Sequence, residues 1–289
     1  MNILIIHNSK SGRKSSQLLI DELTSNLSKN NKIHYLEVFD KRSMNDAISS
    51  IQDNDLIIIS GGDGTVSFYS EVLVNLDKPL LIIPAGSGND FANSLGANLD
   101  GKLIIDAINE QKIEKVATLL VNKNNRILTI ACFGFEARVN RLANKMPRFL
   151  GGFKYTLATF IGLFGKHYES LSIESDLNKE SGDYSLAIVA NTPSFGGGLT
   201  ISNKANPFDE KMYLILVNKV TKLKLIYLFL LLLMRKHYSR EEFRELEIKT
   251  LKVEKLDGVL QAQADGESLP EGSVTLKLDP NSLKVLRFE

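Results

Sequence analysis

Residues 55–73 read DLIIISGGDGTVSFYSEVL, an apolar run that meets a glycine-rich acidic turn and then opens an amphipathic segment. Leu56 to Ile59 are leucine and isoleucine throughout, as expected of a strand buried on both faces of a parallel sheet. Gly61, Gly62 and Gly64 follow at once. Glycine lets a ligand approach bare backbone, and the N–H groups of a following helix turn present partial positive charge to an anion. Val66, Tyr69, Leu73 and Leu76 then recur at helical spacing, so the stretch predicts strand, phosphate-sized loop and helix. Asp63 is the exception. A carboxylate among phosphate-facing amides repels the anion unless a divalent cation lies between them.

A second copy of this design follows. Leu80 to Ile83 form another buried-strand run, Pro84 ends it, and Ala85 to Asp90 (AGSGND) supply glycines and small polar side chains. Phe91, Ala92 and Leu95 predict a short helix stopped by Gly96, a natural C-terminal cap. Two adjacent strand–loop–helix units put both loops at the carboxyl edge of one sheet, where open α/β sheets bind ligands. A single such loop reads as a tight turn. The pair, one with Asp63-Gly64-Thr65 and the other with Ser87, Asn89 and Asp90, favours a nucleotide site. Neither loop is a Walker A sequence or a complete dinucleotide fingerprint.

The chain has 289 residues, 43% of them hydrophobic, enough for two cores. Strand runs alternate with helical patterns up to residue 120, the signature of an α/β domain with a parallel sheet. Short β runs dominate 121–279: Ile127–Cys132, Ser185–Ala190, Met212–Val217, Leu246–Val253, Val259–Ala264 and Ser273–Leu278 follow Thr118–Val121. They predict an antiparallel β-sandwich, with Asn122 to Arg126 as a hairpin turn. Ser282 to Phe288, within 280–289, is a last β-like run able to return to the first domain, and the site is then expected in the cleft between domains.

Net charge is +1, which gives no long-range attraction to nucleic acid. Cys132 is the only cysteine and sits in apolar ILTIACFGF, a setting for a buried, inert thiol. The first residues run directly into the strand NILIIH with no charged leader, so a cytoplasmic protein is expected. Leu225–Met234 is an uninterrupted apolar run of ten residues, too short to span a bilayer. Lys222, Lys224, Arg235, Lys236 and His237 flank it. A helix packed on the second domain and a helix pressed onto an anionic membrane both fit that pattern. Arg13 and Lys14, at a predicted helix start, are either solvated cations or ligands for an anion that relieves their conflict with the helix dipole. Gly196-Gly197-Gly198 predicts a turn or bulge, and Phe133, Phe135, Tyr155 and Phe195 read as core.

Gly61-Gly62-Asp63-Gly64-Thr65 with Ala85-Gly86-Ser87-Gly88-Asn89-Asp90-Phe91-Ala92 resembles the catalytic domain of the diacylglycerol kinase and sphingosine kinase superfamily, in its soluble bacterial lipid kinase branch. Asn8-Ser9-Lys10-Ser11-Gly12 is similar to the family's opening Asn-Pro-x-Ser-Gly turn, and Asp265-Gly266-Glu267 to its Asp-Gly-Glu. The resemblance runs the length of the chain. It implies a Rossmann-like, NAD-kinase-like parallel-sheet domain followed by an antiparallel β-sandwich that takes the lipid. It also implies transfer of the γ-phosphoryl group of ATP to a lipid hydroxyl with Mg²⁺, diacylglycerol going to phosphatidic acid in phospholipid biosynthesis. On that reading Asn8, Ser11, Gly12, Gly61, Gly62, Asp63, Gly64, Thr65, Gly86, Ser87, Gly88 and Asn89 face the nucleotide, and Asp63 holds or orients Mg²⁺ through water. Glu267 is the general base, with Asp265 orienting it or assisting at the metal.

Taken alone, Asp265-Gly266 reads as a hairpin turn between Val259–Ala264 and Ser273–Leu278, and Asp257-Gly258 shares the dipeptide without a following glutamate. The family's second, structural Mg²⁺ site maps to Asp209, with main-chain oxygens of Asn206 and Lys211, but Glu210 replaces its glycine. Ser9 stands where proline is usual. Asp40, Lys41 and Arg42 occupy the place of a nucleotide-touching threonine after the second strand, leaving the contact absent or taken by Lys41. Phosphatidylglycerol, a ceramide or a sphingoid base are alternative acceptors, and a nucleotide-responsive lipid-binding module with decayed catalysis is the alternative outside enzymes. The expected partner is a lipid at the inner face of the membrane, without nucleic acid or a membrane span; a homodimer is allowed.

Overall fold

Branched aliphatic runs in the first third of the chain become buried strands, and the segments between them become helices. The computed structural model describes residues 1–11, 14–97, 99–123, 125–134 and 166–287, and of 135–165 only 139, 142–143, 145–147, 158 and 161–162. Gly12, Arg13, Phe135 and Tyr155 lie outside the described residues. The chain divides into two compact units, Met1–Ala117 with Asn281–Glu289, and Thr118–Pro280.

In the first unit the elements run β1 (Asn2–Asn8), α1 (Lys14–Leu27), β2 (Lys32–Val38), α2 (Lys41–Ile48), β3 (Leu56–Gly61), α3 (Asp63–Asn75), β4 (Leu80–Pro84), α4 (Asp90–Ser94), α5 (Gly101–Glu110) and the start of β5 (Ile113–Val121). The sheet is parallel in the order β4-β3-β1-β2. All six residues of β3 are buried. Ile3, Ile5, Ile58 and Leu81 pack one sheet face on Leu19, Leu23 and Ile104 of α1 and α5, and truncating any one of them to alanine costs about 2–5 kcal/mol. Strand order reverses between β1 and β3, so the loops after these two strands flank a topological switch point, the usual ligand position in such sheets.

The second unit is antiparallel and β-rich. It holds β6 (Asn125–Ile127), β7 (Ile130–Phe133), β8 (Glu169–Ser175), β9 (Lys179–Ala190), β10 (Ser194–Phe195), β11 (Leu199–Thr200), β12 (Met212–Asn218), α6 (Lys222–Leu233), β13 (Arg244–Ile248), β14 (Thr250–Lys255), β15 (Ala262–Ala264), β16 (Glu267–Ser268) and most of β17 (Val274–Leu286). The twelve-residue β9 is the hub, pairing with β12, β7 and β8. Gly196, Gly197 and Gly198, all at positive φ, turn the β10–β11 hairpin.

Several boundaries differ from the sequence pattern. The run Ile127–Cys132 breaks at Leu128-Thr129, and Leu246–Val253 breaks at Lys249. An aspartate from elsewhere takes two backbone N–H groups near each break: Asp265 those of Leu128 and Thr129, Asp176 those of Lys249 and Thr250. Burial raises the Asp176 pKa, but the N–H groups of Thr250 and Lys249 outweigh it and hold the carboxyl below its usual range. Val274–Leu278 and Ser282–Leu286, from two separate expected runs, belong to one strand, β17, whose Val285 lies beside Leu80 of β4 in the first unit. Asp40 is the N-cap of α2 in a reciprocal capping box with Ser43, so this stretch is helix-start chemistry and Lys41 is the first helical residue.

Candidate active site

Gly62 is the N-cap of α3 and no side chain caps it. The first N–H groups of that helix have no intrahelical acceptor and carry the positive end of its dipole. The second glycine loop lies directly against this helix start. A Cβ on Gly86 would stand 2.5 Å from the Gly62 Cα, and one on Gly62 would stand 3.1 Å from the Gly86 Cα. A methyl on Gly86 is incompatible with this approach, and one on Gly62 requires the loops to give by a few tenths of an ångström. The predicted convergence of the two loops is therefore a backbone-to-backbone contact.

Side chains then lock the pair. Asp63 Oδ1 accepts from the Phe91 N–H at 3.1 Å, tying the first loop to the start of α4. Asn89 takes the left-handed conformation, φ 57°. Its amide closes its own loop, Oδ1 accepting from the Gly86 N–H at 2.8 Å and Nδ2 donating to the Gly86 carbonyl at 2.9 Å. Asn8 Nδ2 donates to Thr65 Oγ1 at 2.9 Å across the switch point, and Ser11 Oγ donates to the Asn8 carbonyl. Beneath them His7 Nδ1 and Ser60 Oγ are 3.1 Å apart, both buried. Asn8, Thr65 and Asn89, expected to face a nucleotide, make these bonds within the loops. Gly64 and Ser87 are exposed, Gly61 is buried under Thr65, and Gly88 shares the Ser87 loop.

Electrostatics single out Asp63. Burial pushes its carboxyl above the usual range, while the N–H groups of Phe91, Asp90, Asn89 and its own favour the charged form. A carboxylate held in a partly desolvated place beside an uncapped helix start suits a Mg²⁺ ion that keeps its waters and is otherwise held by phosphate oxygens. Among the described residues no cluster of three His, Cys, Asp or Glu side chains could hold a metal alone. His7 is held below its ordinary value by burial, opposed by Glu37 and Asp21, and is a neutral support.

In the second unit Asp265 (φ 48°) and Gly266 (φ 82°) form the turn between β15 and β16, a hairpin whose return strand is Glu267-Ser268 in place of the expected Ser273–Leu278. The Asp265 carboxylate accepts from Leu128 N at 2.8 Å, Thr129 N at 2.9 Å and Thr129 Oγ1 at 2.6 Å. It is fully engaged in the protein. These bonds tie the Asp265-Gly266 turn to Leu128-Thr129 and so position it. Glu267 follows directly, exposed at the head of β16. Sequence reasoning missed this clamp because its two ends are 136 and 137 residues apart.

Asp209 stands in a local turn, its N–H donating to the Asn206 carbonyl and its Oδ1 accepting from Asn206 Nδ2 at 3.4 Å. The Lys211 ammonium pairs with Glu247 at 3.2 Å. The turn has two exposed carboxylates, Asp209 and Glu210, the latter where the family's glycine would stand.

Comparison with known proteins gives a consistent result. Residues 2–121 match the diacylglycerol kinase catalytic domain, and residues 129–287 match the YegS C-terminal NAD kinase beta sandwich-like domain. A Mycobacterium tuberculosis protein named diacylglycerol kinase is 30% identical over 247 residues, covering 83% of this chain and 79% of its own. A Bacillus subtilis protein provisionally named lipid kinase YtlR is 27% identical over 266 residues, 82% of each chain. A Bacillus anthracis crystal structure, provisionally a diacylglycerol kinase, superposes with a TM-score of 0.79 at 21% identity, over 99% of this chain and 97% of that one, and shares the fold.

Proposed function

The chain belongs to the family of the diacylglycerol kinase catalytic domain with the YegS-type C-terminal domain, and from that membership we propose that it transfers the γ-phosphoryl group of ATP to the hydroxyl of diacylglycerol. The observation that carries the nucleotide half is the contact of Gly62 with Gly86 at the bare start of α3. Phosphoryl transfer asks a protein mainly for positioning and charge neutralisation. The α3 start offers amides and dipole to the phosphates, and the rigid pair of loops fixes where they lie. Asp63 would hold the hydrated Mg²⁺, whose charge offsets that of the phosphates when bound. Glu267 is assigned the proton-accepting role on the lipid hydroxyl, with Asp265 fixing the turn that presents it. The Asp209 turn has no part in this proposal.

Labelled ATP offered with a panel of lipid acceptors in mixed micelles tests the reading. Turnover on diacylglycerol is expected, falling by roughly 10²-fold or more in Glu267→Gln, the ordinary worth of a general base, and comparably in Asp63→Asn. Full rate in Glu267→Gln removes the base assignment. Binding of nucleotide without turnover on any acceptor overturns the enzyme reading in favour of a lipid-binding module.

A further inference from the structure

Helix α6 is apolar on both sides, and only one side is covered. Leu225, Leu228, Leu231 and Leu232 are buried, the last three in clusters with Ile215, Val217 and Phe243 and Leu225 in one with Val139, Ala143 and Ala158. At about 100° per residue, Leu223, Tyr227, Leu230 and Met234 fall within an arc of about 60° on the other side. They are exposed by 81, 45, 44 and 55%, and Leu233 at the edge is also exposed. An ordinary surface helix carries polar residues there. The helix has twelve residues, and no helix among the described residues is long and apolar enough to cross a membrane.

The rim of this stripe is cationic. Lys222 stands at one end and Arg235 and Lys236 at the other, and these three make no ion pair among the described residues. Lys224 and Arg240 lie 5.6 and 5.9 Å from the Tyr227 ring and also neutralise Glu242. A tyrosine between cations beside exposed leucines is the composition of a bilayer interface. Arg235 adds an independent sign. It sits in the left-handed position, φ 56°, just past the helix, where the N–H groups of Arg235 and Lys236 return to Leu232 and Leu231. Glycine is favoured there; arginine accepts strain and leaves a cation at the helix end.

We propose that the outer face of α6 docks this protein onto an anionic phospholipid bilayer, Leu223, Tyr227, Leu230 and Met234 entering the headgroup region and Lys222, Arg235 and Lys236 meeting lipid phosphates. The charge of the rim selects this occupant over a second copy of the chain, whose identical rim would repel it. The proposal rests on the lipid kinase reading for its purpose, since a substrate embedded in a bilayer has to be reached from its surface.

The full chain is sedimented with vesicles of phosphatidylcholine alone or with added phosphatidylglycerol. Binding is expected only with the anionic lipid, weakening with salt. Leu223→Glu/Leu230→Glu reduces it at least about tenfold, and Lys222→Gln/Lys236→Gln by about fivefold per cation removed. Arg235→Gly separates docking from structure: it raises Tm while lowering vesicle affinity. The double-glutamate variant keeps the parent rate on a water-soluble short-chain diacylglycerol and loses rate on vesicle-embedded substrate. Vesicle binding unchanged in that variant overturns the proposal, as does a dimer in light scattering that the variant dissociates while the parent ignores vesicles. Absence of turnover on the soluble substrate, with vesicle binding intact, overturns the kinase reading and leaves the docking face standing.

Discussion

Asp63 and Asp265 each precede a glycine, one at the first turn of a helix and one in a hairpin turn, and both accept backbone N–H groups from a distant segment. Asp265 receives three donors, all within 2.9 Å, and all three come from the buried residues Leu128 and Thr129, two of them backbone N–H groups. Asp63 accepts its closest distant donor, the Phe91 N–H, at 3.1 Å, and burial there works against its charge. The Asp265 carboxylate is satisfied by the protein, whereas burial disfavours the charge of Asp63. A group kept in an unfavourable state points to a role outside stability, whereas a saturated group is accounted for by the architecture it holds.

Truncating the satisfied carboxylate should have the largest effect on stability. Asp265→Ala removes the acceptor of two buried N–H groups, costing about 4 kcal/mol at the usual penalty for stranded donors. Hydrogen exchange should show the Leu128 and Thr129 amides losing protection while β1 and β3 keep theirs. Unchanged protection at those two amides would erase the contrast between the two aspartates.

The loops that bring Asp63 to Phe91 depend on the absence of two Cβ atoms, and the two are unequal. Gly86→Ala puts a methyl 2.5 Å from backbone and 2.9 Å from the Asn89 amide oxygen, which cannot be relieved without moving a loop. It should cost about 3 kcal/mol, near the upper range for overpacking. Gly62→Ala meets backbone at 3.1 Å and should cost about 1 kcal/mol. Chemical denaturation of the two variants tests the order. Equal losses would mean that the loops are not held against each other by the Gly86 side.

How far the sequence carried depended on the sequence distance between interacting groups. Strand β3, its loop and α3 are contiguous, and the hydrophobic run, the glycines and the helical spacing could be read directly. Glycine chemistry likewise announced both loops. The breaks at Leu128-Thr129 and Lys249 could not be seen, because the groups that take their N–H bonds are Asp265 and Asp176 from remote parts of the chain. An alternating run such as ESLSIES, the strand β8, is recognisable by its period. It passed unnoticed among stronger runs. Residue type says that Thr65 and Asn89 can hydrogen-bond but not with what, and their bonds to Asn8 and to the Gly86 backbone depend on register and loop closure.

Replacing each aspartate by its neutral isostere should produce opposite signs. In Asp265→Asn the amide nitrogen must face a donor already aimed at it, so stability falls. Asp63→Asn keeps an acceptor for Phe91 and discharges the group that burial disfavours. It should gain up to about 1 kcal/mol at neutral pH, read as a rise in Tm, although the same change removes activity. A fall in Tm would mean that the N–H groups around Asp63 outweigh its burial and that both aspartates are architectural.

Below the same loops, His7 supplies the smallest effect and the opposite titration. Its native pKa is lowered by burial from 6.5, so below pH 6.5 the unfolded chain binds a proton that the native state resists. Its contribution is complete above 6.5 and is lost as pH falls toward the native value. Asp63 behaves in reverse: its native pKa is raised from 3.8, so its contribution is present at low pH and lost as pH rises through that window. Between pH 6.5 and 5.5 stability should fall with a slope of at most about 1.4 kcal/mol per pH unit for each buried histidine. His237, also lowered by burial, adds to it. His7→Gln should remove its share of that slope and leave the His237 share, as measured by denaturation at stepped pH. A slope unchanged in His7→Gln would show that the imidazole under the switch point titrates alike in the native and unfolded chain.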